Sequence, residues 1–409
     1  MPDAAQLRAV ADEVGTPVYV YSAEILRANL RAWTDAFPAA RIAYAVKANG
    51  NLSVLRTLVS AGAGADTVSE GEIRRALAAG CPPARIIFSG MGKTDEELRF
   101  ALTQPGLQIN VESAAEFERL SALARAAGRR ADVAFRINPD VAAGGHQKIA
   151  TGSAHDKFGV PYDSVPELYR RAVADPAFRP VGLAVHIGSQ ISQLGAFESA
   201  WSRLRDLALQ LRAEGLPVPR LDLGGGLAAD YGEGAPPPAA MGVIAARVFA
   251  GMGFELSLEP GRSIAATAGV LLTQVVQVID RGAGPRFLVL DAGMNDLLRP
   301  ALYDAVHPLR PVERGAGAPA PYDVVGPVCE SSDVFQRDAL LAPMQAGDLA
   351  ALTGAGAYGA AMSSEYNSRP LIPEVLVDGN RWAVVRPRPS YAEMLAREPI
   401  APWLDGSEV

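Results

Sequence analysis

The chain has 409 residues, 49% hydrophobic and 20% charged, with 38 Lys and Arg against 45 Asp and Glu for a formal charge of −7. That length suits about two domains, and an acidic balance without any run of Lys or Arg argues against a nucleic-acid partner. No apolar stretch reaches the ~20 residues of a spanning helix, so no membrane partner is expected. Two cysteines, Cys81 and Cys329, are too few for a disulfide framework and fit a reducing compartment.

The opening MPDAAQLRAVADEVG predicts a short amphipathic helix. It has neither the basic start and apolar core of a signal peptide nor the Arg-rich, acid-poor character of a transit peptide, so the cytoplasm is the expected compartment. TPVYVYS follows as a strand. From about residue 40, strand-like runs alternate with helical ones, the strands being Ile42–Lys47, Ala65–Val68, Ile86–Phe88, Leu107–Val111, Asp132–Ile137, Val181–His186, Leu221–Leu223 and Glu255–Glu259. Strict alternation implies parallel strands joined by right-handed crossovers. Eight units close a (β/α)8 TIM barrel, with an open doubly wound sheet as the alternative. One connection is out of rhythm: residues 138–163 form a long, Gly-rich, polar insertion, a length that usually signals function or disorder. After Ser263 the helices stop, and GVLLTQVVQVID, PRFLVLDAG, DLAALTGAGAYG, PEVLVDGN and RWAVVRP read as strands between Gly/Pro turns. The expected organisation is therefore a barrel over 24–267 and a mainly-β domain, a β-sandwich or β-barrel, over 268–409 that also takes in 1–23. ERGAGAPAPY (313–322) reads as a flexible surface loop.

Active sites of such barrels sit at the C-terminal ends of the strands. Lys47 closes the first strand in YAVKAN, where partial desolvation would lower its pKa and let the neutral amine condense with an aldehyde; the competing reading is a lysine snorkelling to water. His186 closes the sixth in AVHIGSQ and, taken alone, is more often structural than catalytic. Gly224, Gly225 and Gly226 follow the seventh strand, where such barrels bind phosphate and where consecutive N–H groups can approach an anion; a tight turn would need only one of them. Glu259 closes the eighth in SLEPGRS. It could pair with a cationic ring nitrogen or form a salt bridge to Arg262. An amine, an imidazole, a phosphate-type loop and a carboxylate on one rim meet the separate needs of pyridoxal 5′-phosphate, and no metal is expected.

YAVKAN, HIGSQ, GGG, EPGRS, CESSD and GAGAY, in this order, resemble the fold-type III pyridoxal-phosphate decarboxylases over nearly the whole chain. The resemblance implies that Lys47 is the Schiff-base lysine, His186 the imidazole stacked on the cofactor, Gly224–Gly226 the phosphate loop and Glu259 the acid on the ring nitrogen. It also brings Gly261, Arg262 and Tyr358 to the cofactor. Cys329 and Glu330 would be contributed across a dimer interface, making the protein a homodimer with shared active sites. The insertion INPDV…HQKIATG…KFG resembles a mobile loop over the pocket, with Gly145 standing before His146 where the family usually has Thr. Within the family the resemblance is greatest to members acting on meso-2,6-diaminopimelate, which yields L-lysine and CO2. That substrate ends in a second amino-acid head, so it needs a cation for the distal carboxylate and an acid for the distal ammonium. Arg262, Arg299 and Tyr303 suit the first, since Arg grips a carboxylate bidentately. Glu330 suits the second, and Tyr358 reaches phosphate or substrate. Arg299 could instead form a mere surface ion pair. Either Cys329 or Lys47 would return the proton to the α-carbon. The rivals are a decarboxylase of ornithine, lysine or arginine, an alanine-racemase-like enzyme, and a non-catalytic regulatory homologue, the last disfavoured because Lys47 and Glu259 are both present.

Overall fold

A computed structural model describes residues 2–141, 157–232, 234–282, 285–313 and 317–404. The chain sorts into two compact units: Ala23–Ala268, and Met1–Ser22 together with Gly269–Val409. In chain order, α1 (Ala4–Val14) and β1 (Val18–Ser22) come first. Then follow α2 (Ala23–Ala36), β2 (Arg41–Ala45), α3 (Leu52–Ser60), β3 (Gly64–Thr67), α4 (Glu70–Ala78), β4 (Ile86–Phe88), α5 (Asp95–Leu102), β5 (Gln108–Val111) and α6 (Ala114–Ala126). The unit continues with β6 (Ala131–Asn138), β7 (Val160–Pro161), α7 (Val165–Ala174), β8 (Phe178–Val185), α8 (Leu194–Ala213), β9 (Arg220–Asp222), α9 (Pro238–Phe249), β10 (Glu255–Leu258) and α10 (Arg262–Ala265).

Local chemistry explains this rhythm. The helices after β2, β3, β4 and β5 each begin on a side-chain cap: Asn51 accepts from Ser53 N, Ser69 from Glu72 N, Thr94 from Glu97 N and Ser113 from Glu116 N. Such caps satisfy the amides that a helix start leaves over. The strands run β5-β4-β3-β2-β10-β9-β8-β6, all parallel, and β5 pairs back onto β6 from Gln108↔Asp132 to Val111↔Phe135. That pairing closes the barrel and excludes the open sheet. On α8 the apolar residues Phe197, Trp201, Leu204, Leu207, Ala208 and Leu211 are buried in one stripe. Trp201 Nε1 donates to the Leu223 carbonyl at 3.1 Å, tying α8 to the turn after β9.

Three expectations need correction. Lys47 is not in a strand: β2 stops at Ala45, whose N–H donates to the Pro260 carbonyl, and Lys47 lies in the 3-10 turn Val46–Ala48. The insertion is shorter than 138–163, because Asn138 belongs to β6, Val160–Pro161 pairs with Ile137–Asn138, and Tyr162–Ser164 forms a 3-10 turn. Gly145 and His146 lie outside the described residues. The stretch 313–322 is not all loop, since Ala320–Val325 is a strand held between two others by ladder hydrogen bonds.

The second unit adds β11 (Gly269–Ile279), β12 (Arg286–Leu290), α11 (Arg299–Tyr303), β13 (Leu309–Pro311), β14 (Ala320–Val325), β15 (Val334–Leu341), β16 (Leu349–Leu352), β17 (Glu374–Asp378), β18 (Arg381–Arg386) and α12 (Tyr391–Leu395). Its sheet runs β15-β14-β12-β11-β1-β17-β18, with β16 paired to β11 and β13. The N-terminal strand β1 is thus internal, antiparallel to β11 and parallel to β17. Strand alternation divides its side chains. Val18 and Val20 join Leu7 and Val10 of α1 in an apolar cluster, whereas the Tyr19 hydroxyl donates to the Asp296 carbonyl and the Tyr21 hydroxyl to Glu374 Oε2.

Asp296 carries a consequence for stability. Burial pushes its pKa up to about 7, although the Gly293 N–H on Oδ2 and the charges of Arg369 and Arg388 oppose this. A carboxyl raised above its unfolded value takes up a proton on folding, so its contribution is full below ~4 and is lost as pH rises through about 7. Asp222, raised by burial to about 6, and Glu72, raised by burial to about 7, act in the same direction. Thermal unfolding of the cofactor-free protein is therefore expected at a lower temperature at pH 8 than at pH 5.5. Asp296→Asn should narrow that gap, as calorimetry at the two pH values would read.

Candidate active site

The rim of the barrel unit where the strands end collects a buried set of charges. Lys47 Nζ lies 2.8 Å from Asp66 Oδ2, and its side chain is 35% exposed while that of Asp66 is fully buried. Asp66 comes from β3, and its Oδ1 is buried without a hydrogen-bond partner. Helix α4 is anchored at both of its turns: Glu72 Oε2 accepts from Val68 N at 2.8 Å, and Arg75 donates to the Gly50 carbonyl at 3.1 Å.

The glycine run is dictated first by backbone crowding. A Cβ on Gly224 would overlap the Val185 carbonyl, one on Gly225 the Glu259 carbonyl and one on Gly226 the Gly188 carbonyl; Gly224 and Gly226 also adopt positive φ. The turn therefore needs all three glycines, so their number alone does not argue for an anion. Two of their N–H groups are already engaged, Gly224 with Asp222 Oδ1 at 2.9 Å and Gly225 with His186 Nδ1 at 3.2 Å. Because Nδ1 accepts, the neutral His186 ring carries its proton on Nε2. Burial, then the positive charges of Arg136 and Lys47, drive its pKa well below the ordinary value. His186 is a flat, uncharged ring just past the end of β8.

Glu259 lies just past β10, buried, with Oε1 unpartnered. Burial above all, then the negative charges of Asp222 and Asp66, push its pKa well up, while Lys47 and Arg136 pull against them. Gly261 packs against Ala45 and Ala48, where a Cβ would be crowded. Arg262, also buried, donates to Ser189 Oγ and to the Tyr231 hydroxyl at 3.1 and 3.2 Å. Both of these partners are hydroxyls.

Arg136 is held by Glu112 Oε1 at 3.1 Å and stacks on the Phe158 ring, 5.0 Å from its centroid. Behind it Glu112 N donates to Glu116, whose other oxygen takes Lys93 Nζ at 2.7 Å. This chain of opposite charges lets a buried arginine stay on the rim. Removing it should be felt at the imidazole. In Arg136→Met the His186 pKa is expected to rise toward its ordinary value, read by NMR titration of labelled histidines with His186→Asn for assignment.

The β unit holds the other expected residues. Arg299, at the start of α11, is buried, which overturns the surface-ion-pair reading. Its Nη1 meets His307 Nε2 at 3.0 Å, and since Arg can only donate, His307 carries its proton on Nδ1, 3.0 Å from the Thr353 carbonyl. Tyr303 is half-buried at the end of α11. Tyr358 is half-buried with φ of 56°, a left-handed conformation uncommon for a large residue. Cys329 and Glu330 are exposed. Cys329 N donates to Asn367 Oδ1 at 3.1 Å, and Glu330 accepts from Tyr366 and Ser332.

Asp66, Asp222, Arg136 and His307 were missed by the sequence reading. Asp222 carried the signal used for Lys47, a charged residue at the end of a short apolar strand; Asp66 and Arg136 lie inside β3 and β6, and His307 lies in no strand.

The barrel rim fits pyridoxal phosphate on chemical grounds. Asp66 Oδ1 and Glu259 Oε1 are buried acceptors without donors. A protonated ring nitrogen would supply one such donor, with positive charge. An amine for the aldehyde stands on the same rim. These are the marks of a pyridoxal-dependent decarboxylase, and the model of the family described as "Pyridoxal-dependent decarboxylase, pyridoxal binding domain" matches residues 23–266. The diaminopimelate decarboxylase of Zymomonas mobilis is 44% identical over 403 residues, covering 97% of this chain and 95% of its own. The crystal structure of Helicobacter pylori diaminopimelate decarboxylase complexed with L-lysine superposes with a TM-score of 0.91 at 38% identity, covering 95% of this chain and 98% of its own. The Vibrio vulnificus lysine/ornithine decarboxylase complexed with putrescine is more distant, with a TM-score of 0.80 at 25% identity over 92% of this chain and 98% of its own. The chain belongs to the diaminopimelate decarboxylase family of pyridoxal-dependent decarboxylases.

Proposed function

We propose that this chain decarboxylates meso-2,6-diaminopimelate with pyridoxal 5′-phosphate as cofactor, releasing CO2 and L-lysine. The observation that carries the reading is the unpartnered oxygen of buried Glu259 on the same rim as Lys47, in a family whose members bear this activity in their name. When bound, pyridoxal phosphate supplies an aldehyde for the substrate amine and a ring that draws off the electron pair left by departing CO2. Lys47 would hold the cofactor between turnovers, and Asp66 keeps the Lys47 amine in place. Glu259, its carboxylate sustained by the ring's positive charge, would hold a proton at the ring nitrogen. Neutral His186 offers a flat face and does not compete for that proton. At the far end of the substrate, Arg262, Arg299 and Tyr303 match the distal carboxylate and Glu330 the distal ammonium. Tyr358 serves phosphate or substrate.

Two groups can return the proton to the α-carbon, Lys47 and Cys329. Cys329→Ala decides between them: a kcat loss of about 10²-fold or more, the lower end for general acid catalysis, assigns the step to the thiol. The active form is a homodimer in which Cys329 and Glu330 serve the partner subunit, which suits the exposure of both residues. Where Cys329→Ala loses activity, mixing it with Lys47→Ala subunits should then restore that activity. Two free cysteines suit a cytoplasmic location, which cell fractionation would check. CO2 release from meso-diaminopimelate, with and without added cofactor, tests the whole reading. Faster release from lysine or ornithine would hand the chain to the rival specificity, and racemisation without CO2 would overturn decarboxylation.

A further inference from the structure

Glu330 stands on the turn before β15, exposed, yet both of its carboxylate oxygens are tied. The Tyr366 hydroxyl donates to Oε1 and the Ser332 hydroxyl to Oε2 at 2.9 Å. The surrounding turn is braced as well. Asp333 accepts from Val328 N at 2.6 Å and from Met294 N at 2.7 Å, and Asn367 accepts from Cys329 N at 3.1 Å. The segment carrying Tyr366 is strained, with Asn367 and Ser368 both at φ of 55°. Hydrogen bonds between water-exposed groups add little to stability, and left-handed backbone at non-glycine residues costs free energy. Folding therefore gains little from clamping this acid. Orientation is what the clamp delivers.

We infer that Tyr366, aided by Ser332, is a positioning residue that fixes the Glu330 carboxylate to receive a primary ammonium, and so sets the preference for a substrate with a second amine. The inference rests on the proposed function and extends it to residues outside the substrate contacts named above. A carboxylate has about four lone-pair directions, and the two hydroxyls occupy one on each oxygen. One direction per oxygen remains, close enough together for two of the three donors of a compact ammonium. A second carboxylate or a neutral methylene at that place would gain nothing. The two donors also hold the Glu330 pKa below its ordinary value, keeping it anionic.

The test compares cofactor-loaded enzymes on meso-diaminopimelate and on 2-aminopimelate, which keeps both carboxylates but only the reacting amine. In Tyr366→Phe the ratio of kcat/KM between the two substrates is expected to fall about tenfold, carried mainly by KM, the size of losing one hydrogen bond to a charged group. Ser332→Ala should lower it in the same direction and is the milder variant should Tyr366→Phe fold poorly. In a Glu330→Gln background, Tyr366→Phe should move the ratio no further. A ratio unchanged in both variants, an equal loss on both substrates, or a further fall in the Glu330→Gln background overturns the inference. Wild-type enzyme that releases no CO2 from meso-diaminopimelate overturns instead the function on which it rests.

Discussion

Replacing Lys47 by alanine is expected to cut CO2 release from diaminopimelate by about 10⁴-fold, the upper end for removing a group that moves a proton in the reaction. Lys47 stands in a 3-10 turn and not in the strand, so its side chain is held by the Asp66 contact at 2.8 Å and not by the pleat of a sheet. Alanine at this position removes the proposed attachment point and strands Asp66, whose other oxygen already lacks a donor. The variant should also lose the near-visible absorption of the bound cofactor. Loss of activity with that absorption intact would assign attachment to another amine.

Glu259→Gln should lower kcat by about 10²- to 10³-fold, the range for removing one preorganised electrostatic partner, with a much smaller change in KM. Gln keeps the shape and a hydrogen-bonding oxygen but not the charge. Burial and the nearby Asp222 and Asp66 already disfavour the charged form of Glu259, so a carboxylate is sustained there only by positive charge, from Lys47 and Arg136 and from a protonated ring nitrogen. In the proposed role of Glu259, Gln would leave the nitrogen's proton without its anionic partner. The absorption of the loaded variant should accordingly shift at neutral pH, and steady-state kinetics would separate kcat from KM. A variant that keeps full kcat would show that ring protonation does not depend on Glu259.

Much of this was legible in the sequence because strand ends are chemically marked. His186 and Glu259 each lie one residue beyond short apolar strands, and the barrel rule turns that position into a site. The same rule, applied to every charged residue at a strand end, would have found Asp222 but not Asp66 or Arg136, which lie inside their strands. The glycine run misled in part, because its three members are required by close backbone approaches whatever binds there. His307 and Tyr366 were not legible at all. Their partners Arg299 and Glu330 are 8 and 36 residues away in sequence and meet them only through the fold. The strand at Ala320–Val325 was hidden by the Gly- and Pro-rich run that precedes it, where composition speaks for a loop and pairing with β12 and β15 prevails.

The most direct test is to reduce the loaded enzyme with borohydride, digest it and locate the modified residue by mass spectrometry. A pyridoxyl group on the peptide containing Lys47, with CO2 release abolished in step, is the expected result. A protein that stays unlabelled, or that carries the label only on another lysine, would contradict the assignment of Lys47 as the cofactor's anchor.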